Sequence, residues 1–413
     1  MLLLATLAMA GCVDAYNDGQ RPGYGPQTGT NVPPGRQPPG FAERQRNPNR
    51  VAMLLPLTGG YAEIGQAMLH AAQLALPDGA MPALDAVDTG GTPEGAARAA
   101  REALTRGAGL ILGPLTSAET AAVAPVAREA GVAVLAFTND SSQAQPGVWT
   151  LGITPGQQVL RLMVAAQAQN KGHASALLPE TDLGHRLGDA LQRAASTLSL
   201  PAPDVHYHAA GMTAINAAVR DMSGYAARRG PIDAQIKASR AAHTAEGRRR
   251  AEALQRAHVP PPPFATLLMA DTGEALTLIA SLLPYYDIDG VQVLGPAQWS
   301  SPDSGAANMP GAWYAAPDPA SRSAMSQDYS GKFGGAPPAI ADLAYDAATV
   351  ARTLAGHGGF TVGALTQRAG FAGVDGWFAL LPDGEVHRSL AVFRIERGGA
   401  AMVEPAPASG AGT

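Results

Sequence analysis

The chain has a single cysteine, Cys12, which excludes an internal disulfide framework and any cysteine-cluster zinc site. It also lacks a basic balance: the net charge is −5, which gives no reason to expect a nucleic-acid partner. Neither a G-x-S-x-G elbow, a Walker loop, an H-E-x-x-H pair nor a G-x-G-x-x-G fingerprint occurs, so no enzyme and no cofactor is expected. His206 and His208 stand two apart and could share one side of a strand. With no cysteine or third histidine in register, they read as a surface pair and not as a metal site. Beyond the N-terminus no stretch is long and apolar enough to cross a bilayer.

At the N-terminus, Leu2–Ala8 is apolar and Met9-Ala10-Gly11 places small residues before Cys12. This resembles a bacterial lipoprotein processing site, although no Lys or Arg precedes the run and the first basic residue is Arg21. The resemblance implies a leader over residues 1–12, a lipid on Cys12, and a protein anchored to the membrane without spanning it. Residues 13–50 are rich in Pro, Gly, Asn and Gln and read as a disordered tether, because they offer little apolar surface to offset ordering entropy. The implied location is the periplasm of a Gram-negative bacterium, on the outer membrane.

From Val51 the chain alternates strands and helices. Val51–Leu57 is a strand suited to burial on both faces, and Thr58-Gly59-Gly60 allows a tight turn after it. Thr92-Pro93 opens a helix with an N-cap and a proline at the first helical position. Leu110–Leu112 and Val132–Phe137 are further strands, and Thr116 with Glu119 forms a capping box between them. Alternation of this kind predicts a doubly wound α/β lobe whose ligands bind beyond the carboxyl ends of its strands. Those ends present Gly60, Tyr61, Thr116, Ser117, Thr138 and Asn139. A second lobe repeats the rhythm from residue 153 and presents Asp271 and Thr272. Residues 51–152 with about 318–369 are assigned to the first lobe, and 153–317 with about 370–397 to the second. Gly376–Leu381 and Ser389–Ile395 flank Pro382-Asp383-Gly384 as a β-hairpin or a short antiparallel addition. The tail from residue 398 is read as disordered. Residues 226–259 interrupt the rhythm with a helical insertion rich in arginine, either a solvated extension or a docking arm for an acidic surface or lipid headgroups.

Four stretches, Leu54–Gln66, Leu112–Val126, Val132–Asn139 and Leu343–Ala348, together resemble the type I periplasmic binding proteins of the Leu/Ile/Val-binding kind. The resemblance implies two α/β lobes joined by three crossovers, with a small carboxylate-bearing ligand in the cleft between them. Thr116 or Ser117 would hold the carboxylate at a helix N-terminus, with Thr138 as a second hydroxyl contact. An amino-acid receptor normally also offers an acid near the crossover into the second lobe. Leu151–Val159 has none, which leaves Asp271 or Glu274 as substitutes. The insertion, Leu282–Asp289, Gly311–Pro319 and Gly370–Phe378 are similar to a second branch of the fold, the lipoprotein activators of penicillin-binding proteins. The two expectations are therefore a regulator that contacts a penicillin-binding protein and a solute receptor that contacts an ABC permease.

Overall fold

The computed structural model describes residues 47–408. The leader, Cys12 and the tether up to residue 46 lie outside the described residues. The first lobe begins with β1 (Arg50–Leu55), α1 (Ala62–Ala75), β2 (Ala83–Asp88), α2 (Pro93–Thr105), β3 (Leu110–Leu112), α3 (Ser117–Ala130), β4 (Ala133–Ala136) and β5 (Val148–Thr150). Its five strands are parallel in the order β2-β1-β3-β4-β5. Alternate residues of β1 feed opposite cores: Val51, Met53 and Leu55 face one layer of helices, Ala52 and Leu54 the other. The N-cap of α2 forms as its sequence requires, with the Thr92 side chain accepting from Gly95 N and Pro93 in the first turn.

The second lobe holds α4 (Pro155–Ala168), β6 (Ala174–Pro179), α5 (Asp182–Thr197), β7 (Asp204–His208), α6 (Met212–Met222), α7 (Tyr225–Ala241), α8 (Ala245–Gln255), β8 (Thr266–Met269), α9 (Gly273–Tyr285), β9 (Gln292–Gly295) and β10 (Trp313–Ala316). The chain then returns to the first lobe with α10 (Ser323–Phe333), α11 (Ala341–Ala355) and α12 (Val362–Leu365). α11 lies on α1 through small residues, Ala344, Ala347, Ala348 and Ala351 against Ala71, Ala72 and Ala75, which lets the two helices approach closely.

The structure departs from three expectations: the partner of the strand at 376–381, the assignment of residues 370–388 to the second lobe, and the disorder of the tail. The strand β12 (Gly376–Leu380) pairs with β11 (Phe371–Gly373) and β13 (Val386–Arg388) in a separate antiparallel sheet, and not with residues 389–395. That sheet sits on the first lobe: Phe371, Phe378, Leu380 and Val386 join its core, and Trp149 Nε1 donates to Leu381 O at 2.6 Å. Ser389 and Leu390 then carry the chain over to β14 (Ala391–Glu396), which pairs antiparallel with β10. The tail is also structured further than expected. β15 (Gly399–Glu404) adds to β14, and Glu404 pairs with Arg161 at 2.9 Å, so the order in the second sheet is β15-β14-β10-β9-β8-β6-β7. The chain passes between the sheets three times, at 151–154, 317–322 and 389–390.

A buried charge cluster lies beside these passages. Arg322 forms a two-pronged pair with Asp342, at 2.6 and 2.9 Å. Arg388 donates to Leu151 O at 3.1 Å, lies 4.9 Å from the centre of the Phe378 ring, and faces Asp346 at 3.8 Å. Asp346 accepts from Val374 N at 2.7 Å, and Gly373 is needed there because a Cβ would stand 2.3 Å from Asp346 Oδ2. Asp375 is buried in the same cluster, where the nearby charges of Asp342 and Asp346 oppose its own and Arg388 favours it. Burial pushes Asp346 up to about 6 against the pull of Arg388, and pushes Asp375 up to about 7.

Candidate functional site

The rim of the first lobe is made by the loops after β1, β3 and β4, and each is tied by one of the chain's own carboxylates. After β1, Asp88 accepts from Leu57 N at 2.8 Å, Thr58 N at 3.2 Å, Thr58 Oγ1 at 2.6 Å and Gly90 N at 2.8 Å. Burial works against its charge, but these donors hold it below the ordinary carboxylate range. Gly60 and Tyr61 follow, both exposed.

After β3, the capping box is complete. Thr116 Oγ1 accepts from Glu119 N, while Glu119 Oε2 accepts from Thr116 N at 3.0 Å and from the Thr116 hydroxyl at 2.8 Å. Glu119 is fully buried, and its other oxygen accepts from Thr89 Oγ1 at 2.5 Å. Thr116 is therefore turned inward.

After β4, Asp140 accepts from the Ser117 hydroxyl, and from Ser142 through both N, at 3.1 Å, and Oγ, at 2.7 Å. Its own N–H donates to Thr138 Oγ1 at 3.1 Å. Arg186 of α5, in the second lobe, stands 3.8 Å from Asp140. Burial opposes the charge of Asp140, yet the serine donors and this arginine hold it below the usual range. The structure thus brings Ser117 and Thr138 together, but around an internal carboxylate. Asn139 is exposed beside them. Gly152 lets the first crossover press on this loop, since a Cβ there would lie 2.6 Å from Asn139 N.

On the second lobe Asp271 is buried and pairs with His208 Nε2 at 3.1 Å. His208 Nδ1 lies 3.1 Å from Ala209 O, so both ring nitrogens face acceptors. The Asp271 hydrogen bond accordingly raises the His208 pKa, against burial. Asp271 O also accepts from Trp299 Nε1 at 2.9 Å. Thr272 caps α9 by position, with no side-chain hydrogen bond to the helix, and is exposed. His206 pairs with Asp204 at 2.8 Å, but His208 is buried, so the two are not the surface pair expected. Among the described residues no cluster of three His, Cys, Asp or Glu is placed to hold a metal.

A cavity of about 610 Å³ opens between the lobes, lined by Asp140, Gln157, Arg186, Arg193, Glu385 and His387 among others. None of the eight expected ligand residues lines it. Asp140 belongs to the strand-end loop Thr138-Asn139-Asp140 legible in the sequence, whereas its partner Arg186, which connects the cavity to the rim, was not legible because the pairing crosses between lobes. The one available signal was an acid two residues after Thr138.

A family model for periplasmic binding proteins matches residues 48–400. Among solved structures, a putative branched-chain amino acid ABC transporter protein from Rhodospirillum rubrum superposes with a TM-score of 0.64 at 18% identity, covering 86% of this chain and 99% of that one. The C-domain of LpoA from Haemophilus influenzae, described as a regulator of PBP1A, gives 0.60 at 16% identity, covering 86% and 99%. Against full-length LpoA the TM-score is 0.62 at 16% identity, covering 87% of this chain and 60% of that one. A search of curated proteins gives no match.

Proposed function

The chain belongs to the periplasmic binding protein family, and from that premise we propose that it is a non-catalytic regulator of peptidoglycan synthesis, held in the periplasm by a lipid on Cys12, that acts by contacting a penicillin-binding protein. The shared fold does not choose between this role and solute reception, because an amino-acid-transporter protein and LpoA resemble the chain about equally. The site does favour one. An amino-acid ligand needs free donors for its carboxylate and a free acid for its ammonium. Here Asp140 occupies the Ser117 hydroxyl, Glu119 occupies Thr116, and Asp271 is paired with His208. A second carboxylate beside Asp140 would also meet a like charge.

The test has two arms. In thermal unfolding, leucine, isoleucine or valine should leave the midpoint unchanged, whereas a receptor at 100 times its Kd gains about 2.7 kcal/mol. In the second arm, the purified protein should raise the transpeptidation rate of a penicillin-binding protein from the same organism. Stabilisation by a branched-chain amino acid, with no effect on the synthase, would return the protein to the receptor role.

A further inference from the structure

The insertion at 226–259 is a helical hairpin, α7 packed against α8, whose segment contains only three buried residues in its two helices: Ile236, Gly247 and Ala251. It holds eight Lys or Arg against three Asp or Glu, a formal +5, so the remainder of a chain with net charge −5 sums to −10. Charge this segregated exceeds what solubility requires. One arginine is structural. Arg228 donates to four backbone carbonyls, Ser223 at 2.9 Å, Pro260 at 2.6 Å, Asp287 at 3.0 Å and Tyr286 at 2.7 Å, and so fixes the hairpin to the lobe. Arg229 is paired with Asp233. Lys237, Arg240, Arg248, Arg249, Arg250 and Arg256 are exposed and form no ion pair among the described residues.

At the root of the hairpin stands Tyr285, 69% exposed, packed edge-on to the buried Tyr286 at 4.9 Å. Tyr286 in turn meets Tyr225 at 5.2 Å and bonds Asn216 through its hydroxyl at 2.9 Å. An exposed tyrosine on a rigid base at the foot of a hairpin that carries exposed arginines supplies two of the residue types enriched in interface hot spots.

We propose that the α7–α8 hairpin, with Tyr285 at its root, is the surface by which this protein docks an acidic face of a protein partner. The inference rests on the partner-binding reading above and names the surface and the chemistry that reading leaves open. A protein is favoured over a bilayer by geometry. Arg248, Arg249 and Arg250 are consecutive in α8 and point about 100° apart, so they fan over three sides of the helix left free by the packed Gly247 and Ala251. A flat lipid surface meets one side of such a helix, whereas a protein groove meets several.

The test measures association of the purified protein with three probes at low and physiological salt: the periplasmic region of a penicillin-binding protein from the same organism, poly-L-glutamate, and vesicles of phosphatidylethanolamine with phosphatidylglycerol. The variants are R248Q/R249Q/R250Q, its R248K/R249K/R250K counterpart, and Tyr285→Ala, with circular dichroism confirming the helices. The glutamine variant should associate roughly ten-fold more slowly with the synthase region at low salt and lose much of its salt dependence. The lysine variant should retain the rate, and Tyr285→Ala should raise the dissociation rate. Synthase binding unaffected by any variant would overturn the docking surface while leaving the functional reading intact. Arm-dependent binding to poly-L-glutamate without synthase binding would retain the surface and refute the synthase as partner. Arm-dependent binding to vesicles alone would overturn the proposal in favour of lipid.

Discussion

The buried carboxylates predict an inverted response of stability to pH. Asp346 is 1% exposed and titrates at about 6, against 3.8 for the free side chain, and Asp375 at about 7. A carboxyl whose folded pKa is raised binds its proton more tightly in the folded state. It therefore contributes stability that is present at low pH and is lost as pH rises through the folded value. For Asp346 alone the change from 3.8 to about 6 corresponds to about 2 kcal/mol between pH 4 and pH 7. His208, also raised, adds in the same direction. Asp88 and Asp140 act oppositely, but their contribution is lost only as pH falls below the ordinary carboxylate range. Between pH 5 and 8 the first group therefore dominates. Urea unfolding across that range should show a midpoint that falls as pH rises. Asp346→Asn keeps an acceptor for Val374 N and removes the titration, so its midpoint should depend less on pH than that of the wild type. A wild-type midpoint that is flat or rises from pH 5 to 8 would refute the reasoning.

Two further outcomes follow from packing. Glu119→Ala removes the partner of Thr116 and leaves the buried Thr89 hydroxyl without an acceptor for its proton, so it should cost about 2–4 kcal/mol by urea unfolding, more than an exposed capping residue does. Gly373→Ala places a Cβ 2.7 Å from Asp346 Cγ as well as against its oxygen, and should cost about 1–3 kcal/mol, read as a lower thermal midpoint.

The features visible in the sequence were local ones. Thr92-Pro93 and Thr116-x-x-Glu119 specify helix starts by chemistry contained within four residues, and both caps form. Val51–Leu55 is apolar without alternation, and it is buried on both faces. What escaped was decided at long range. Residues 376–395 read as one hairpin because only Ser389 and Leu390 separate β13 from β14. The lobe each strand joins is set by Trp149 and Phe378 on one side and by β10 on the other. Gly399–Glu404 has a weak strand composition and is ordered by its ladder to β14 and by Arg161. The candidate site was half legible. The loops were placed correctly at strand ends, but the sequence could not show that Thr116 turns inward or that Asp271 has a histidine partner 63 residues away.

β15 also has a bearing on how this molecule behaves among copies of itself. It covers the edge of β14, whose Val392, Phe393 and Ile395 are buried side chains beside a row of main-chain donors and acceptors. If the chain ended near residue 398, that row would be open and flanked by apolar side chains, a ready template for strand addition from another molecule. The opposite edge, β7, is guarded instead by Asp204 and His206, whose charge and hydration discourage such pairing. The last strand thus covers that row, and shortening the protein at that end would expose it to strand addition from a second copy.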